Sequence, residues 1–93
     1  MTTKELAAYL HYSNDEIDQA ALQAAIDAGE ANLKNLIGTD VIDFNAEGPA
    51  KDLLKNWCRY YLNNAIEYFT ANFKQEISAL QFKVASEDQG NAQ

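Results

Sequence analysis

The sequence predicts an all-α fold: a small bundle of about four helices, in the order short, long, long and C-terminal, that oligomerises. Three observations predict it. Helix-start signatures recur along the chain, apolar residues return at helical spacing, and one helix is apolar over more of its circumference than a single small domain covers. With 93 residues, 47% of them hydrophobic and 11% aromatic, the chain makes one domain and is too apolar for a disordered segment. The helical domain is expected over 1–85, with a flexible polar tail over 86–93.

Thr2-Thr3-Lys4-Glu5 has the form of a capping box, in which the Thr2 hydroxyl and the Glu5 carboxylate satisfy free N–H groups of the first turn. A helix near 3–10 follows, with Leu6, Tyr9 and Leu10 inward. Ser13-Asn14-Asp15-Glu16 repeats the signature, and Asp15, Glu16 and Asp18 suit the positive end of a helix dipole.

The second helix then runs to about Ile37, with Gly38 as its left-handed cap. Leu22, Ile26, Leu33 and Leu36 form one stripe. Ile17, Ala20, Ala21, Ala24, Ala25, Ala28 and Ala31 form a second, roughly 140° round the helix. Gln19, Gln23, Asp27, Glu30 and Lys34 make the polar strip between them. The apolar arc is about twice the ~100° that a surface helix needs, so this helix should be covered on two sides. The small side chains of Ala21, Ala24, Ala28 and Ala31 let a second copy approach closely.

Gly38 to Gly48 reads as a connector rich in turn formers, with Val41, Ile42 and Phe44 as plugs for the core. Pro49 fits the first position of the third helix and Asp52 its opening turn. Leu54, Trp57, Cys58, Tyr61, Ala65 and Phe69 carry that helix to about residue 71. Phe73, Ile77, Leu80 and Val84 extend the helical pattern into a fourth stretch.

The net charge is -7, and its placement is uneven. Residues 1–48 hold nine acids against Lys4 and Lys34, whereas residues 49–93 balance five acids with five bases. An acidic chain repels phosphate, which disfavours free nucleic-acid binding and docking on anionic membranes. No apolar run approaches the ~18 residues that cross a bilayer, and a lone Cys58 fits synthesis in a reducing cytoplasm.

No catalytic, metal or cofactor site is legible. Asp43-x-Asn45-x-Glu47-Gly48 imitates the opening of a calcium loop, but Lys51 and Leu54 stand where the ninth and twelfth positions need oxygen ligands, so it reads as a turn. His11 is the only histidine and suits the C-terminal end of the first helix. Cys58 lies within the apolar stripe and reads as a small core residue. Trp57, Tyr60 and Tyr61 occupy different faces of one helix, which places at least one of them at an interface.

The order of these pieces resembles the head-tail connector, or adaptor, family of tailed double-stranded-DNA phages. The matching run covers roughly residues 3–84: Lys4-Glu5-Leu6-Ala7-Ala8-Tyr9-Leu10, the Ala-rich helix ending in Asn35-Leu36-Ile37-Gly38, and Leu53-Leu54 with Tyr60-Tyr61-Leu62-Asn63-Asn64 after Pro49. It closes with Asn72-Phe73-Lys74-Gln75-Glu76-Ile77-Ser78-Ala79-Leu80-Gln81. Many members carry an Arg after the Tyr-x-Asn stretch, where this chain continues Asn64-Ala65-Ile66-Glu67.

The resemblance implies a structural protein of the virion neck, made in the bacterial cytoplasm, with no reaction and no cofactor. It implies a ring, usually twelvefold, below the portal protein, with a stopper or tail-completion protein beneath and DNA passing through without specific binding. On that reading Ala21, Ala24, Ala28, Ala31, Trp57, Tyr60 and Tyr61 are expected between copies, Phe82, Lys83 and Val84 against the portal, and Asp27 and Glu30 along the DNA channel. The alternative is a small acidic regulator that mimics DNA and binds another protein.

Overall fold

The computed structural model describes the backbone of residues 1–11 and 18–91, with side chains described through residue 86. The described residues form helices and no strand: α1 (Thr3–Leu10), α2 (Gln19–Ile37), α3 (Pro49–Leu62), a 3₁₀ turn (Ile66–Tyr68), α4 (Phe69–Asn72) and α5 (Lys74–Asn91). They pack into a body of 52 × 24 × 17 Å. At axis spacings of ~8–10 Å between helices, the short dimension admits two helix layers.

The expected capping box closes α1. The Thr2 hydroxyl accepts from Glu5 N–H at 3.1 Å, and the Glu5 carboxylate accepts from Thr2 N–H at 3.1 Å. His11 ends the helix in the left-handed conformation, and its backbone N–H reaches Ala7 and Ala8 C=O. Helix α2 begins later than expected. Asp18 is its N-cap, accepting from Ala20 and Ala21 N–H, while Ser13-Asn14-Asp15-Glu16 and Ile17 lie outside the described residues. Gly38 ends α2 with φ 90°, and its N–H reaches Lys34 C=O at 2.9 Å.

Leu22, Ala25, Ile26, Leu33 and Ile37 of α2 meet Leu53, Leu54, Trp57 and Cys58 of α3 in the core, joined by Leu6, Phe44, Phe69, Ile77 and Leu80. Each fully buried Leu, Ile or Phe there contributes about 1.5–3 kcal/mol relative to exposure. At the crossing of α2 and α3, Gly29 removes the side chain that would otherwise hold the helices apart. A Cβ at that position would lie 2.7 Å from Leu54 Cδ1 and 2.8 Å from Trp57 Cε3.

The third helix is shorter than its apolar spacing suggested. It stops at Leu62, because Asn63 folds its side chain back onto Arg59 C=O at 2.7 Å and Asn64 takes a left-handed conformation with φ 56°. The 3₁₀ turn and α4 then bring Phe69 and Phe73 against Tyr60, edge to face at 5.8 and 5.6 Å. Helix α5 runs to Asn91, through the boundary at residue 86 where the polar tail was expected to begin; Ala92 and Gln93 lie outside the described residues. Gln81 ties α5 to α2, its Nε2 donating to Leu36 C=O at 2.9 Å. In the connector, Phe44 is buried and Ile42 half-buried as expected, but Val41 stays 89% exposed and fills no core position.

Candidate functional site

The polar centre of the molecule is Lys51. Only 3% exposed, its ammonium contacts the Glu5 carboxylate of α1, donates to Glu47 Oε1 at 2.7 Å, and lies 3.5 Å from Asn45 C=O. Hydrogen bonding to Lys51, together with the capping bond from Thr2 N–H, holds the Glu5 carboxyl down to about 2. The Glu47 carboxyl is likewise lowered by its bond to Lys51, and the Lys51 ammonium is raised by Glu47 and then by Glu5.

The Asp43 carboxylate accepts from Asn45 and Ala46 N–H, at 2.8 and 3.3 Å. The segment that imitated a calcium loop is therefore a turn whose oxygens serve its own backbone and a lysine. Among the described residues no cluster of carboxylates, histidines and cysteines is arranged to hold a metal ion. Cys58 is wholly enclosed, and burial, reinforced by the Glu30 charge, pushes its thiol up to about 12. A thiol so protonated is a poor nucleophile.

What the chain offers instead is surface. Ala21, Ala24 and Ala31 are exposed on α2 and Ala28 is half-buried, so the flank expected between copies is uncovered in the single chain. Of the aromatics expected beside it, Trp57 is a correction. It is 4% exposed, enclosed by the close approach of α2 at Gly29 and by Tyr61, whose ring stacks on it at 5.0 Å. Tyr60 is half-buried between Phe69 and Phe73, with its hydroxyl accepting from Asn72 Nδ2 at 2.9 Å. Tyr61 remains 43% exposed.

Phe82 projects from α5 at 75% exposure beside exposed Lys83, whereas Val84 is half-buried and leans on the core. Asp27, exposed and accepting from Gln23 Nε2 at 2.9 Å, shares an open recess with Glu30, Lys34 and Asp40. No described helix is long and apolar enough to cross a membrane.

Two features escaped the sequence reading. Tyr68, in the 3₁₀ turn, is 60% exposed. A groove of about 400 Å³ also opens between α3 and α5, with Leu53, Phe73, Ala79 and Leu80 among its walls together with Asp52 and Glu76. The Asn63-Asn64 pair was the signal for the first, since it ends α3 and turns Tyr68 away from the helix stripe. Compared with known proteins, the chain matches no family model, no curated protein and no solved structure.

Proposed function

We propose that this chain is a structural subunit of a tailed-phage neck, assembling as a ring beneath the portal, extending the DNA channel and receiving a stopper or tail-completion protein below. The observation that carries the reading is the uncovered alanine flank of α2, on a 19-residue helix whose other face is already filled by α3. Small side chains at Ala21, Ala24, Ala28 and Ala31 suit a neighbour packed at short range, with exposed Tyr61 and half-buried Tyr60 near the C-terminal end of α3 as the aromatic surface. Phe82 and Lys83 supply the portal contact, and Asp27 and Glu30 face the channel, where like charge keeps DNA from sticking. The resemblance in the order of helices supports the same role, and an enclosed, protonated Cys58 fits a chain that performs no reaction.

Electron microscopy of the protein mixed with the portal of the same virion tests the proposal. Rings seated on the portal are expected from the wild type. Ala24→Arg should abolish rings and Phe82→Ser should abolish seating, with the circular dichroism of both unchanged. A wild-type chain that neither forms rings nor sediments with portal would remove this function.

A further inference from the structure

We draw no further inference here: the strongest candidate, the groove between α3 and α5 with apolar walls in Leu53, Phe73, Ala79 and Leu80, is edged by Asp52 and Glu76 but also by Lys83, so its charge selects no occupant, and nothing in the structure shows what covers it.

Discussion

Gly29 and Trp57 define how near α2 and α3 come: a β-carbon on Gly29 would sit 2.8 Å from Trp57 Cε3 and 3.3 Å from Cζ3, inside the contact distance of carbon atoms. The indole is 4% exposed and stacked on Tyr61, so moving it disturbs a second ring.

Gly29→Ala therefore sets two effects against each other. Alanine favours the helix by ~1 kcal/mol, whereas forcing a methyl into a packed crossing costs about 1–3 kcal/mol. Because the Trp57 ring and the fully buried Leu54 are both in the way, the second effect wins. Urea unfolding should show a net loss of about 1–2 kcal/mol; a gain would mean that the crossing opens freely.

The Lys51 centre predicts an acid-sensitive contact between α1 and α3. Glu5 is held at about 2 in the folded chain against 4.5 in the unfolded one. A lowered folded value means that its stabilisation is complete above 4.5 and disappears as pH falls towards 2. Lys51→Met should lower the urea midpoint near neutral pH and flatten its dependence across that acid window. An unchanged acid profile in the variant would show that Lys51 is not the group holding Glu5.

Cys58 should be silent in the folded chain. With the thiol pushed up to about 12, only roughly one in ten thousand is ionised near pH 8, and none of it is reachable from solvent. Labelling by a thiol-specific disulfide reagent should follow the rate of unfolding in added urea. Rapid labelling in buffer would contradict the burial.

Asn64 holds a left-handed conformation that side chains branched at Cβ resist. Asn64→Val should cost about 1–2 kcal/mol, while Asn64→Gly should stay within ~0.5 kcal/mol of the wild type. Thermal midpoints of the two variants decide whether this turn is as strained as its φ implies.

Signals contained within a few residues of the sequence were the readable ones. Thr2 and Glu5, Gly38, and Pro49 with Asp52 each act through one helical turn, and each stands where its spacing placed it. What depends on residues far apart was hidden. In the sequence Lys51 only spoils the imitation of a calcium loop, with Glu47 one turn before it, and the folded chain brings Glu5 to it from 46 positions away. Trp57 looked surplus because its cover is the missing side chain of Gly29, which no stripe of large residues reveals. The early end of α3 was written in Asn63-Asn64, but the apolar spacing across it, from Tyr61 to Ala65 and Phe69, spoke louder for a continuous helix. Among the surfaces, the α2 flank followed from helical periodicity, whereas the α3–α5 groove needed two helices joined through a turn.

The polar anchors of α1 have a kinetic corollary. Glu5 is held by Lys51, and the Tyr9 hydroxyl donates to Asn56 Oδ1 at 2.9 Å, so both ends of this eight-residue segment are moored to one stretch across some 46 intervening positions. Eight residues are too few to stay helical unaided. The opening segment must wait, disordered, until the middle of the polypeptide has condensed, and it is the first to be cast off when that middle loosens.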